Sequence, residues 1–293
     1  MHGSIQIIRV PTPNALNAIS AKHRLGEANW RPLPHPGIVN QVFTTDSFVL
    51  RIPHRADFAL EDTITERHIL PLVQSQVQTP ALITFDSDRD ILPVPFSIFC
   101  RIPADPLHRA RRVNHQKIAE AILQVHSLAV QSHPDLDEHP IPELEEYLEI
   151  TKKFPDPEQH WIATWLRQLS PINELPYAEL FIHGDLHEHN LLIDDNQNPW
   201  LIDWGDAGHG DPAVDFAVLP TEHFIPILAA YQKIASPDPT LTPRVALHQF
   251  LHHLRMAESA LDQNLTDPIN PLRNLFNLWQ SHLDWKEFNP TKP

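Results

Sequence analysis

The sequence predicts a mixed α+β fold in which a small, β-rich amino-terminal part precedes a larger, mostly helical carboxy-terminal part. Three observations support this prediction. Short runs with strand character and two helical runs fill the first hundred residues. After Pro106, apolar residues recur at helical spacing. Residues 182–206 then return to strand character inside the helical part, and their acids and amides stand only at the joints.

The amino-terminal part is predicted to contain four strands and two helices. The strands are expected at residues 38–43, 47–52, 81–85 and 96–102, and the helices at residues 14–25 and 60–73. Turn residues at 44–46 and 86–90 separate neighbouring strands. Residues 4–10 are either a short strand or an amino-terminal arm.

The carboxy-terminal part is predicted to be helical apart from one β-insertion. Helices are expected around residues 118–129, 161–169, 213–219, 224–235, 243–261 and 271–285. The change of texture near residues 102–106 predicts two domains, residues 1–103 and 104–293. Ligands favour the junction of two such parts.

Charge and cysteine content exclude several classes of protein. The chain has 22 basic and 37 acidic residues, a net charge of −15, which argues against nucleic acid or an anionic membrane surface as the main partner. The acidic balance fits a cationic substrate as well as a merely solubilising surface. The single cysteine, Cys100, excludes an internal disulfide and indicates a reducing cytoplasm. No apolar stretch approaches the roughly 18 residues of a membrane span.

A hairpin in the carboxy-terminal part carries the chemistry. The turn signal at residues 194–199 joins two short apolar strands. Because a hairpin returns the chain to its starting point, Asn190 before the first strand and Asp203 after the second should lie at the same end. Asp185 precedes Asn190 by five residues. Three oxygen-bearing side chains would then converge, as a hard cation bound to phosphates requires, although Asp and Asn also simply cap turns.

These residues resemble those of the aminoglycoside phosphotransferase family, a small-molecule branch of the protein-kinase-like fold. The resemblance rests on HGDLHEHN at residues 183–190, on IDW at residues 202–204 and on GDPAVDFA at residues 210–217. It implies a two-lobe fold. A small β-rich lobe with one main helix would bind the nucleotide (residues 1–103). A larger, mostly helical lobe would carry the catalytic hairpin and bind the acceptor (residues 104–293).

The resemblance also implies a reaction and its residues. A phosphotransferase would move the γ-phosphate of ATP or GTP, with Mg²⁺, to a hydroxyl of a small molecule. Asp185 would orient that hydroxyl and accept its proton, and His187 would contact phosphate or acceptor. Asn190 and Asp203 would bind Mg²⁺. Asp215 matches a family aspartate that ties down the catalytic loop.

The small lobe needs a cation for the α- and β-phosphates. Kinases use a strand lysine paired with a helix glutamate, yet no lysine lies between Lys22 and Lys117. The strand ending near residue 53 offers Arg51 instead, and the following helix offers Glu66. An Arg51–Glu66 ion pair is therefore predicted, similar to the strand arginine of macrolide phosphotransferases. The alternative is an exposed strand arginine.

Other residues are expected around the nucleotide. Asn40 would contact a phosphate. Val49 or Ile38 would lie above the adenine ring, and Leu192 and Ile202 would lie below it. The backbone of Cys100 and Ile102 would form hydrogen bonds with the edge of the ring. The apolar members of this set could equally be plain core.

The acceptor is the least defined partner. Acidic candidates are Glu222, Glu258 and Asp262, and the last two lie four residues apart on one helix face. They would either hold an amine or face solvent. The sequence therefore predicts a small-molecule acceptor and leaves open whether it is cationic.

Two other functions remain open at this stage. A nucleotide-binding pseudo-kinase would sense the nucleotide without transferring phosphate. A metal-dependent phosphoesterase would place His183, His187, His209 and Asp211 around two metals.

Overall fold

The fold was analysed in a computed structural model that describes residues 10–33, 40–54, 58–134, 136–263, 265 and 267–282, with the side chains of residues 58–63, 280 and 282 excepted. Within these ranges the strands are β1 (Arg31–Pro32), β2 (Asn40–Thr44), β3 (Phe48–Pro53), β4 (Leu82–Asp86), β5 (Phe96–Cys100), β6 (Ala104–Pro106), β7 (Asp137–Glu138), β8 (Leu180–Ile182), β9 (Leu191–Asp194), β10 (Pro199–Leu201) and β11 (Gly208–Gly210).

The α-helices of the same ranges are α1 (Pro13–Lys22), α2 (Phe58–Val73), α3 (His115–His126), α4 (Leu144–Thr151), α5 (Asp156–Leu169), α6 (Val214–Ala217), α7 (Thr221–Ile234), α8 (Leu241–Asp262) and α9 (Asn270–His282). Two 3₁₀ helices cover Leu107–Arg109 and Ser170–Glu174. The predicted strand or arm at residues 4–9, Ile38 and the end of the last predicted helix lie outside the described residues. None of the described helices is long and apolar enough to span a membrane.

The chain divides into two compact units. The first is built from described residues within 1–117, 128–137 and 189–207, and the second from those within 118–127, 138–188 and 208–293. The predicted α+β class is confirmed, with an antiparallel sheet in the amino-terminal part and mostly helices in the carboxy-terminal part.

An antiparallel sheet forms the centre of the first unit, with the strand order β1–β2–β3–β5–β4. Its alternating apolar residues pack with α1 around Ile19, Leu50 and Ile98, each fully buried. The buried side chains supply the hydrophobic stabilisation, and α1 covers the sheet because Leu16 and Ile19 lie three apart on one helix face.

The predicted hairpin is present in the first unit. β9 pairs with β10 in the register Leu191 opposite Leu201, and β6 pairs with β9 on its other side. The segment before β4 also holds the hairpin, because the Leu201 N–H donates to the Gln78 carbonyl at 2.9 Å and the Trp204 indole donates to Thr79 Oγ1 at 3.0 Å.

The core of the second unit lies among its helices. Buried residues of α5, α8 and α9, among them Ile162, Leu254 and Leu272, form one cluster, and each of these three is fully buried. β8 and β11 form a short antiparallel pair with Gly208 opposite Ile182. β8 ends immediately before the HGD motif and therefore sets the starting point of that loop.

Candidate active site

An ion-pair cluster in the first unit joins Arg51, Glu66 and Asp203. Arg51 Nη1 donates to both carboxylate oxygens of Glu66, at 2.9 and 3.0 Å. Its Nη2 donates to Asp203 Oδ1 at 2.6 Å. The predicted Arg51–Glu66 pair is therefore present, and the alternative of an exposed strand arginine is wrong, since the Arg51 side chain is only 16 % exposed.

Burial governs the electrostatics of this cluster. Burial raises the pKa of Glu66, and the charge of Arg51 and a hydrogen bond from the Trp204 N–H oppose that rise. Burial alone would lower the pKa of Arg51, but the charges of Asp203 and Glu66 outweigh it and raise that pKa well above its usual range. The guanidinium is therefore permanently charged and holds two carboxyl groups in defined directions.

The end of the hairpin brings Asn190 and Asp203 close in the backbone. The Ile202 N–H donates to the Asn190 carbonyl at 3.0 Å, so the two chain segments meet beyond the last ladder pair, as predicted. Asp203 follows with φ of +65°, in the left-handed region that Asp tolerates better than most residues. Asn190 is 5 % exposed, whereas the Asp203 side chain is 42 % exposed.

The hairpin turn is fixed by Asp194. Its carboxylate accepts the N–H groups of Asn196 and Asn198 at 2.9 and 2.8 Å. Lys117 adds a second support by donating to the Asn196 carbonyl at 2.9 Å and to Asn198 Oδ1 at 2.8 Å. These contacts hold the turn that the signal at residues 194–199 predicted.

The catalytic-loop candidates lie in the second unit, directly after β8. His183 is fully buried, and Gly184 has φ of +83°, a conformation that glycine adopts without strain. Asp185 follows. Its N–H approaches His183 Nδ1 at 3.4 Å, and its carbonyl accepts the His187 N–H at 3.0 Å. The Asp185 carboxylate lies 3.4 Å from His187 Nε2, and both side chains are about one-third exposed, at 35 and 37 %.

Asp215 anchors this loop, as the family resemblance implied. Its carboxylate accepts the His183 N–H at 3.0 Å and the Gly184 N–H at 2.8 Å. His126 Nε2 lies 3.1 Å from the same carboxylate. Burial alone would raise the pKa of Asp215. The hydrogen bond and the charge of His126 oppose burial most, the charge and the N–H of His183 add to them, and together they lower that pKa below its usual range. Asp215 therefore stays ionised and holds both N–H groups.

The backbone after β5 limits how an adenine edge can be bound. The Cys100 N–H donates to the Ala81 carbonyl at 2.8 Å, and the Ile102 carbonyl accepts the Ala104 N–H at 3.0 Å. An adenine at this place would therefore use the Cys100 carbonyl and the Ile102 N–H.

The side chains predicted around the nucleotide differ in exposure. Val49, Leu192 and Ile202 are each partly buried, which leaves apolar surface for a ring. Asn40 lies opposite Pro53 in the sheet and is only 8 % exposed, so it offers little surface to a phosphate.

The acidic pair predicted on α8 is already engaged. Lys153 Nζ lies 2.6 Å from Glu258 and 3.9 Å from Asp262, which confirms that both acids share one helix face. Arg255 adds a contact to Glu258 at 3.7 Å. Glu222 lies in the first turn of α7. An amine would have to compete with Lys153 for Glu258.

Two residues of the second unit were missed by sequence reasoning. Arg244, only 2 % exposed, lies 3.2 Å from Asp211 and 2.8 Å from Asp238. His126 contacts Asp215 as described above. A signal for His126 existed, because it lies four residues after Ile122 on the apolar face of α3, and a polar residue there requires a buried partner.

The ion pair between Asp211 and the Arg244 guanidinium disfavours the two-metal phosphoesterase.

A family model described as the phosphotransferase enzyme family matches residues 30–265 of this chain. A search of curated protein sequences found no match. Comparison with solved structures found many similar folds at low sequence identity.

Three of these structures illustrate the range. A GDP and kanamycin complex of APH(2")-IIia has a TM-score of 0.68 and 16 % identity, covering 93 % of this chain and 100 % of that one. A choline/ethanolamine kinase family protein from Mesorhizobium loti has a TM-score of 0.65 and 17 % identity, with coverage of 94 % and 96 %. A macrolide 2'-phosphotransferase from Brachybacterium faecium has a TM-score of 0.62 and 18 % identity, with coverage of 90 % and 98 %. At such identities the likeness establishes the fold, and the predicted fold class is confirmed.

Proposed function

Because this chain belongs to the phosphotransferase enzyme family, we propose that it transfers the γ-phosphate of ATP or GTP, with Mg²⁺, to a hydroxyl group of a small molecule. Arg51 carries this proposal, because it holds Glu66 and Asp203 in one cluster beside the hairpin end. Phosphoryl transfer needs positioning and charge stabilisation rather than covalent chemistry from the protein. A buried guanidinium between two carboxyl groups is suited to that task.

Residue roles follow from this proposal. Asp185 would orient the acceptor hydroxyl. As the oxygen of the acceptor hydroxyl forms a bond to the γ-phosphorus, the bond between that phosphorus and the β-phosphate oxygen would break. Asp185 would take the proton of the hydroxyl. His187 would steady the Asp185 carboxylate or contact the phosphate. Arg51 would bind the α- and β-phosphates, with Glu66 fixing its direction.

The donor set at the hairpin end suits Mg²⁺. Asn190 and Asp203 offer an amide and a carboxylate oxygen, the ligand types that this ion prefers. The ion would neutralise charge on the phosphates when bound. Adenine or guanine would lie against Val49, Leu192 and Ile202. We retain the functional division into residues 1–103 for the nucleotide and residues 104–293 for catalysis and acceptor, and a cytoplasmic location, supported by the single cysteine.

The proposed acceptor is a small alcohol whose charge is left to experiment. The similar structures include complexes with kanamycin, gentamicin and streptomycin, macrolide phosphotransferases and a choline/ethanolamine kinase family protein. The engagement of Glu258 by Lys153 weakens the case for binding of an amine at α8.

Transfer of labelled γ-phosphate tests the proposal. Wild-type protein is incubated with Mg²⁺, labelled ATP or GTP, and panels of aminoglycosides, macrolides and amino-alcohols. Transfer should be lost in Asp185→Asn and Asp203→Asn, whereas Glu149→Gln, which alters an exposed ion pair of α4, should keep it. Nucleotide binding without transfer or hydrolysis by the wild type would favour the pseudo-kinase, and full turnover by Asp185→Asn would remove that residue from its role.

A further inference from the structure

A buried chain of hydrogen bonds runs behind the candidate catalytic loop. Tyr231 of α7 and His126 of α3 meet at 2.8 Å between the phenolic oxygen and Nδ1. His126 Nε2 then meets the Asp215 carboxylate at 3.1 Å, and that carboxylate accepts the N–H groups of His183 and Gly184. The side chains of His126 and Asp215 are 1 % and 0 % exposed. This hydrogen-bond network therefore links α3 and α7 to His183 and Gly184, the residues just before Asp185.

The proton positions in this hydrogen-bond network follow from the chemistry of its side chains. An ionised carboxylate only accepts hydrogen bonds, so the Nε2–H of His126 must donate to Asp215. The Tyr231 hydroxyl then donates to Nδ1, or accepts from it when the imidazole is charged. In either form His126 uses both ring nitrogens, which fixes the rotation of the ring.

The geometry of Asp215 explains why such a brace matters. Asp215 Oδ1 accepts a hydrogen bond from the Gly184 N–H. Oδ2 accepts hydrogen bonds from the His183 N–H and from Nε2–H of His126. Rotation of the carboxylate would break all of these contacts together. Gly184, with its positive φ, offers no side chain to hold the loop. The Asp215 carboxylate therefore fixes the backbone of His183 and Gly184.

We infer that His126 and Tyr231 are positioning residues that orient Asp215 and thereby set the place of Asp185. This inference rests on the proposed function, because Asp185 is the proposed proton acceptor. Replacing a buried polar network with apolar residues of similar volume is often neutral for stability. Stability alone therefore does not account for three buried polar groups in series.

His126 also packs as a ring, so packing must be separated from hydrogen bonding. Its ring centroid lies 6.2 Å from that of Phe216 and 5.4 Å from that of Tyr231. His126→Leu removes both nitrogens, whereas His126→Gln can place an amide N–H where Nε2 lies. Tyr231→Phe keeps the ring and removes only the hydroxyl. Thr151→Val is the matched control, because it removes a buried hydroxyl that donates to the Leu148 carbonyl at 2.8 Å in α4 of the same unit.

The experiment measures kcat, nucleotide KM and amide exchange for these four variants. His126→Leu should lower kcat about tenfold or more, since small misplacements of a reacting group are costly, with nucleotide KM within about twofold. His126→Gln should recover most of kcat, and Tyr231→Phe should show a smaller loss. Amide exchange at His183 and Gly184 should accelerate in the order of the kcat losses. Thr151→Val should leave both readouts at their wild-type values.

Wild-type kcat and wild-type exchange in His126→Leu would overturn the inference, and so would equal losses in Thr151→Val. If His126→Leu does not fold, Tyr231→Phe and His126→Gln give the same comparison. If the wild type transfers no phosphate to any acceptor, the proposed function fails. The exchange rates at His183 and Gly184 then still decide whether His126 and Tyr231 position the loop.

Discussion

Glu66→Ala is the most direct perturbation of the ion-pair cluster. The substitution removes both hydrogen bonds from Arg51 Nη1, at 2.9 and 3.0 Å, and leaves Asp203 as the carboxylate partner of Arg51. The Glu66 side chain is 6 % exposed and that of Arg51 16 %, so water cannot replace the lost carboxylate well. The free energy of unfolding should therefore fall.

The size of that fall can be worked out from the contacts. Breaking a buried ion pair by removing one partner costs about 3–5 kcal/mol. Because Asp203 still compensates the guanidinium, the lower end, about 3 kcal/mol, is expected. Burial raises the pKa of Glu66, which also reduces the charge that is lost. Loss of a charge-assisted contact of about 1.5–3 kcal/mol should raise nucleotide KM by about 10- to 100-fold, because Arg51 loses its fixed direction.

Urea unfolding and steady-state kinetics measure these two effects. Urea is uncharged and does not screen the ion pair as guanidinium does. The control is Glu149→Ala, which breaks the contact with Lys152, where both side chains are more than 60 % exposed. Its stability should stay within about 0.5 kcal/mol of wild type. If Glu66→Ala matches wild type in both unfolding and nucleotide KM, the cluster neither stabilises the fold nor positions Arg51, and the reasoning is refuted.

Three single contacts give further expected outcomes. Burial raises the pKa of Tyr231 to about 12, so the unfolded chain loses its proton first. The stability advantage of wild type over Tyr231→Phe should shrink by about 2 kcal/mol as pH rises from 10 to 12, and a constant difference in urea melts would contradict this. Asp194→Ala should cost about 1 kcal/mol, since it removes hydrogen bonds from Asn198, and thermal melts would show it. Leu254→Ala should cost about 2–5 kcal/mol, whereas exposed Met256→Ala should cost almost nothing in the same denaturation assay.

Local chemistry explains which parts of the fold the sequence predicted. The hairpin at residues 191–201 could be predicted because Asp194 and its neighbours define the turn within a few residues. The Arg51–Glu66 pair could be predicted because strand and helix follow each other directly and few other cations are available. In both cases the decisive contacts lie close together along the chain.

Elements that depend on distant partners were not predicted. β11 has three residues and pairs with β8 across more than twenty residues, so it shows no strand pattern by itself. α4 follows two prolines and has only eight residues, too few for a clear helical period. The partners of His126 lie 89 and 105 residues away, and no local pattern can identify them.

In each unit, a nitrogen donor positions an aspartate of the candidate site, but the two donors act by different means. Arg51 is permanently charged and reaches Asp203 directly, so its effect is electrostatic as well as geometric. His126 acts on Asp185 only through Asp215 and the backbone of the loop, so its effect is geometric. Changes at Arg51 or Glu66 should therefore appear mainly in nucleotide KM, and changes at His126 mainly in kcat. This separation of the two kinetic constants rests on the proposed roles of Arg51 and Asp185, and it does not depend on which acceptor the enzyme uses.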